Sequence, residues 1–130
     1  MARDSALMVL YDSDKRIMLQ LRDENARTYK NQWGFFGGGI KAGESSMDAL
    51  VRETFDELMH KPVSLELAFV IDDPDETGAK KYFFVEKCID KTRLDLHEGK
   101  GMGWFNFVDA EKIIPDPYKF CIRKLVEFIG

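Results

Sequence analysis

Residues 33–60 read WGFFGGGIKAGESSMDALVRETFDELMH, and this stretch decides the fold. Five of the chain's ten glycines fall between positions 34 and 43. Such a concentration marks backbone that bends sharply or comes close to a ligand. The second half has the period of an amphipathic helix, roughly Ser46–Met59. Ser45 or Ser46 can cap it, and Asp48 falls in the first turn, where negative charge is favoured. At about 100° per residue the apolar face comprises Met47, Leu50, Val51, Thr54, Phe55 and Leu58. Pro62 biases Lys61 away from helix, which stops the helix by about His60. Glu53, Asp56 and Glu57 project together from the opposite side. Each like-charge pair there costs roughly 0.2–0.5 kcal/mol. A hard divalent cation would relieve that repulsion, Mg²⁺ first and Mn²⁺ as its natural substitute. A solvated acidic face is the plainer alternative. Gly37–Gly39 place bare backbone beside the helix, and backbone N–H groups at a helix N-terminus suit phosphate oxygens.

Working outward, Ala6–Tyr11 and Arg16–Arg22 read as strands joined by a turn at Asp12-Ser13-Asp14. Downstream, Val63, Leu65, Leu67, Phe69 and Ile71 alternate as a strand. A hairpin turn over 72–80 leads to a second strand, Lys81–Cys88, and Leu94–Leu96 and Trp104–Phe107 read as short strands. Asp109 is expected to cap a short helix ending near Ile113. Asp116 and Pro117 are expected to open a final helix with Tyr118, Cys121, Ile122, Leu125 and Ile129 on one face. Strands around a central helix, with helices again at the end, predict an α/β class fold: one domain over 1–130, an α/β/α sandwich with a mixed central sheet.

Composition narrows the function. With 130 residues, 45% apolar and 32% charged, the chain is an ordinary globular mix. It has no apolar run long enough to span a membrane and no signal-peptide pattern at its start, so a cytoplasmic location is expected. Lys and Arg total 19 against 23 Asp and Glu, a net charge of −4 that argues against general nucleic-acid binding. Cys88 and Cys121 fit neither a disulfide framework nor a zinc site, and two histidines exclude an all-histidine metal centre.

The run Gly38, Glu44, Arg52, Glu53, Thr54, Asp56, Glu57, Met59, His60 resembles the signature box of the Nudix hydrolases. That box runs Gly, five residues, Glu, seven residues, Arg-Glu, an aliphatic, any residue, Glu-Glu, any residue, Gly, an aliphatic. Gly38, Glu44, Arg52, Glu53 and Glu57 match at the required spacing. Five fixed matches arise by chance on the order of once in a million start positions. The lead-in Trp33-Gly34-Phe35-Phe36-Gly37-Gly38 is similar to the family's Trp…Pro-Gly-Gly. Asp56 stands for Glu, Thr54 and His60 for aliphatics, Met59 for the helix-ending Gly and Phe36 for Pro. No substitution removes a carboxylate. With Met59 in place of Gly, helix termination is expected to fall to Pro62.

The resemblance implies a pyrophosphohydrolase acting on a nucleoside diphosphate derivative: a nucleoside triphosphate, ADP-ribose, dinucleoside polyphosphate or sugar nucleotide. It implies Glu57, Glu53 and Asp56 as metal ligands, with the Gly37 carbonyl, and Glu44 supporting the helix start or a second metal. Arg52 would orient Glu53 or Glu57. Arg22, Gly38 and Gly39 would meet substrate phosphates. Glu53 or Glu98 would take a proton from water, and Glu57 completes the expected catalytic set. Trp33, Phe35 and Phe36 are candidates for stacking on a base, with core packing as the alternative. The run Asp72-Asp73-Pro74-Asp75-Glu76 is read as a solvated turn, and His97 as a polar strand end. A small nucleotide is the expected partner, without a membrane, and a homodimer is an open assembly. The alternative of another class is a nucleotide-sensing module without hydrolysis.

Overall fold

The computed structural model describes residues 2–130. Ala6 to Leu10 are all buried. Such a run needs cover on both faces, which makes it the middle strand of a layered fold. This is β1 (Ser5–Tyr11), followed by β2 (Ile17–Leu21), β3 (Trp33–Gly34), β4 (Phe36–Gly39), α1 (Ser46–Leu58), β5 (Glu66–Asp72), β6 (Lys80–Lys87), β7 (Gly101–Phe105), α2 (Phe107–Ile113) and α3 (Lys119–Ile129). β1 lies parallel to β6 along its whole length. Its other edge is shared: β4 pairs antiparallel with Ser5–Met8, and β2 meets it only at Tyr11 opposite Ile17. β2 continues away to β7 and β3. The two halves of the sheet therefore diverge from Tyr11 back toward Leu7, and the segment 33–39 crosses the gap.

Alternation along β1 splits the core. Leu7 and Val9 pack with Ala110, Ile114, Cys121, Ile122 and Leu125 of the C-terminal helices. Ala6, Met8 and Leu10 pack with Phe36, Leu50 and Leu58 on the α1 side. The fold is thus the expected α/β/α sandwich on a mixed sheet.

Several local readings need correction. The buried face of α1 carries Ala49, Leu50, Thr54, Glu57 and Leu58. Met47, Val51 and Phe55 are instead 37–44% exposed. The sheet meets α1 one step around the helix from the apolar stripe, because Glu57 is drawn inward. Ser45 is the N-cap, in a reciprocal box with Asp48. The helix stops at Met59, not at Pro62: Met59 takes a left-handed φ of 54° and its N–H donates to the Phe55 carbonyl. His60 then reaches buried Glu86 (2.5 Å), whose carboxylate also accepts the N–H groups of Val63 and Ser64. This clamp delays β5 to Glu66 and leaves Val63 exposed. A bulge between Leu67 and Phe69 breaks the predicted alternation on the edge strand β5. Residues 94–96 form no strand, and β7 begins at Gly101 rather than Trp104. Asn106, not Asp109, caps α2, and α3 starts at Lys119 without an Asp116 cap.

Candidate active site

The site forms where α1 crosses β4. Gly37 has φ 144°, and a Cβ there would lie 2.1 Å from the Ala6 carbonyl oxygen. A Cβ on Gly38 would sit 2.6 Å from the Glu53 carboxyl carbon. Only bare backbone lets the helix carboxylates come this close. The Gly37 N–H donates to Glu57 Oε1 at 3.0 Å, so its contact with the cluster is through nitrogen.

Glu57 is 5% exposed. Burial, a hydrogen bond with Glu98, and the charges of Glu98 and Glu53 together hold its carboxyl far above the usual carboxylate range; only the Gly37 N–H opposes them. Glu98 is itself exposed. It reaches Glu57 because the segment before it is stitched to the end of α1: the Asp95 and His97 N–H groups donate to the Leu58 and Glu57 carbonyls at 2.9 and 2.7 Å. Those carbonyls are orphans at a helix C-terminus, so the same bonds finish the helix and deliver Glu98. The His97 ring faces Asp95 on the surface, away from this cluster.

Arg52 organises the other acids. Its Nη1 donates to Glu53 at 2.7 Å, and Nε and Nη2 grip both oxygens of Glu44 at 2.9 Å. This fork and the Lys41 N–H pull the Glu44 carboxyl down to about 2. Arg52 therefore orients Glu53 and not Glu57. The Gly39 carbonyl accepts from Arg52 and from Arg3, at 3.3 and 3.2 Å. Asp56 stays exposed, and the acids acting on Glu57 are Glu98 and Glu53 instead. The start of α1 is occupied by its own cap, since Ser45 Oγ accepts the Asp48 N–H.

Among the described residues, no group of three or more acidic, histidine or cysteine side chains is placed to hold a metal ion by itself. Mg²⁺ does not require one, because it keeps several waters and takes one or two carboxylates plus substrate phosphates. The donor set fits that mode: Glu57 and Glu53 are hard oxygen ligands, and Glu57 faces acids that a cation would satisfy.

Across the sheet from α1, a cavity of about 380 Å³ opens in the gap between the two halves of the sheet. Leu7, Arg22, Trp33, Gly34 and Phe35 line it, together with Asp73, Asp75, Lys81, Tyr29 and Tyr118. Leu7 lies directly opposite Gly37 in the β1–β4 ladder, so one strand pair carries the cavity wall and the carboxylate anchor. Arg22 lines the cavity while its Nε donates to the Thr28 carbonyl. Trp33 reaches the cavity, edge-on to Phe105. Phe35 packs on Phe83, and Phe36 is fully buried beneath α1, which makes both of them core residues. Sequence reasoning missed Tyr29, Asp73, Asp75 and Tyr118. The turn residues 72–76 do form a turn, but one whose carboxylates wall a cavity.

The family description "NUDIX domain" matches residues 1–127. The chain belongs to the NUDIX domain family, as its signature box implies. Among solved structures it is similar to the MutT protein of Methanosarcina mazei Go1, at 18% identity, over 97% of this chain and 94% of that one, with a TM-score of 0.84. The NUDIX domain of Shewanella oneidensis NrtR complexed with ADP ribose is 14% identical over 100% and 90%, with a TM-score of 0.80. A C. elegans Ap4A hydrolase, a binary complex, is 20% identical over 97% and 98%, with a TM-score of 0.73. No curated protein matches the chain. Among the described residues, no helix is long and apolar enough to cross a membrane.

Proposed function

We propose that the chain hydrolyses a phosphoanhydride bond in a nucleoside diphosphate derivative, by in-line attack of water and with Mg²⁺ as cofactor, Mn²⁺ substituting. The observation that carries this reading is Glu57, a buried carboxyl hydrogen-bonded to one acid and facing another. Burying like charges together is costly in a fold and useful in a site that takes a cation. Glu57 and Glu53 would hold the ion, with Glu57 steadied by the Gly37 N–H and Asp56 reaching through water. Bound Mg²⁺ would neutralise phosphate charge and lower the pKa of a water. Glu98, exposed beside Glu57, would accept the water proton, with Glu53 as the rival base. Arg22 and the backbone of Gly38 and Gly39 would meet the phosphates, and the cavity behind Leu7 would take the nucleoside. The ADP ribose complexed with the NUDIX domain of Shewanella oneidensis NrtR, and the similarity to a C. elegans Ap4A hydrolase, support this substrate class.

The test is a screen of nucleoside triphosphates, ADP-ribose, dinucleoside polyphosphates and sugar nucleotides, with and without Mg²⁺, identifying products to locate the cut bond. Mg²⁺-dependent release of a nucleoside phosphate supports the proposal. Binding without turnover of any of them would make the chain a sensing module instead.

A further inference from the structure

The cavity has a polar wall of unusual composition. Tyr29 Oη donates to both oxygens of Asp75, at 2.7 and 2.8 Å, and Tyr118 Oη donates to Oδ2 at 2.7 Å. These three residues come from the loop after β2, the β5–β6 turn and the residue preceding α3. The two rings meet edge to face at 5.8 Å. Asp75 is fixed from below as well, because its N–H donates to Asp73 Oδ1 at 2.9 Å. Asp73 in turn is balanced by Lys81, 3.6 Å away.

A tyrosine hydroxyl ordinarily offers one donor and acceptor lone pairs. Here both hydroxyl protons are committed to one carboxylate. What remains for a ligand is acceptor capacity alone: the lone pairs of two phenol oxygens and the unused capacity of Asp75. Burial, with the Asp75 hydrogen bond second, pushes the Tyr29 hydroxyl up to about 12 and raises Tyr118 further, so both protons stay in place at neutral pH. Trp33 also lines the cavity and offers it an aromatic surface. A planar ring can stack there, and its polar edge must bring N–H groups to the acceptor wall.

We propose that Asp75, held by Tyr29 and Tyr118, reads the edge of the substrate's base and selects bases carrying an exocyclic amine over counterparts that lack it. This rests on the nucleotide reading of the cavity given above. A base with a carbonyl in that place would set lone pair against lone pair and leave the wall unpaired. Leaving such groups unsatisfied lowers affinity roughly 10- to 100-fold.

Matched pairs test this directly. Calorimetric binding of cytidine against uridine monophosphate, and of guanosine and adenosine against inosine monophosphate, compares ligands that differ at the amine. The wild-type protein is expected to bind the amine-bearing member about 10- to 100-fold more tightly in the ring size that the cavity accepts. In Asp75→Asn the two phenols can donate to the amide oxygen, which turns the amide N–H₂ toward the ligand. The preference should then fall to parity or reverse. Tyr118→Phe should weaken both members of a pair together and keep their order. Equal binding within every pair by the wild type, which needs no variant, overturns the proposal. So does an unchanged preference in Asp75→Asn, or a Tyr118→Phe variant that abolishes the preference as completely. The hydrolase reading fails separately: a protein that shows the preference but cuts no phosphoanhydride loses only that reading. One that hydrolyses paired triphosphates with equal kcat/KM loses only the base selection.

Discussion

Two acids are buried to the same depth near opposite ends of β1. Asp12, just past its C-terminal end, is 6% exposed, and Glu57, across β4 from its start, is 5% exposed. Their surroundings are opposite. Asp12 accepts the N–H groups of Asp14 and Arg16, and the side chains of Arg16 and Lys91. Burial works against its charge, yet Lys91 and Arg16 win, and the carboxyl sits at about 2 instead of 3.8. Glu57 has one backbone N–H, and otherwise acids. Burial is therefore no guide to role. Asp12 is neutralised by this chain and closes a hairpin. Glu57 has no cationic partner of this kind, which suits the proposed role of holding a cation.

The strongest way to break this contrast is to neutralise each acid. Glu57→Gln is expected to cut hydrolysis on the order of 10³-fold while leaving the thermal midpoint without metal nearly unchanged, because the amide keeps the Gly37 contact and matches the uncharged form in which burial and the neighbouring acids hold Glu57. Near-normal turnover, or a large loss of stability, would put Glu57 in the same class as Asp12. Glu98→Gln comes next, with about 100-fold lower kcat and little change in KM. A loss that extra Mg²⁺ restores would mean ligation, and a loss that it does not restore would mean proton transfer. Glu53→Gln, run beside it, identifies the rival base.

Metal should sharpen the same contrast. A cation bound only by the folded chain adds about 2.7 kcal/mol at 100 times its Kd. Melting with millimolar Mg²⁺ against chelator should raise the wild-type midpoint and not that of Glu57→Gln. Equal wild-type midpoints would show that no such site fills. For Asp12 the sign is reversed and metal plays no part. Its folded pKa lies below 3.8, so its contribution is present above about pH 4 and is lost as pH falls toward 2. Asp12→Asn should cost about 2 kcal/mol at neutral pH, with activity retained, and the gap to wild type should close across that acid window. A gap that persists at pH 2 would trace the loss to packing.

What was legible in the sequence was local. A serine cap at 45 or 46, the carboxylates at 53 and 57, and the strands around Ala6–Tyr11 and Lys81–Cys88 follow from spacing within one or two turns. The candidate site's remaining parts are set by partners far along the chain. Asp75 reads as a solvated turn residue because Tyr29 and Tyr118 lie 46 and 43 positions away. Residues 94–96 alternate like a strand, yet the neighbouring N–H groups of Asp95 and His97 are taken by the carbonyls ending α1. The inward turn of Glu57 hides for the same reason, since its anchor is a strand N–H 20 positions earlier.

Met59 is the smallest case of that kind, and it is testable. The family pattern places Gly there, and in its absence the sequence assigns the stop to Pro62. The chain instead forces Met59 into the left-handed region, with its N–H on the Phe55 carbonyl and the His60 N–H on that of Thr54. For a residue with a Cβ this conformation costs roughly 1–2 kcal/mol. Glycine avoids that cost but loses more backbone freedom on folding, roughly 0.5–1 kcal/mol. Met59 is 46% exposed, so little packing is lost with its side chain. Met59→Gly should therefore stabilise the fold by about 0.5 kcal/mol, a small rise in urea midpoint with unchanged slope and unchanged kcat. A lower midpoint would mean that the Met59 side chain packs against something that its exposure conceals. A changed kcat would mean that the end of α1, through the Leu58 and Glu57 carbonyls, transmits its geometry to Glu98.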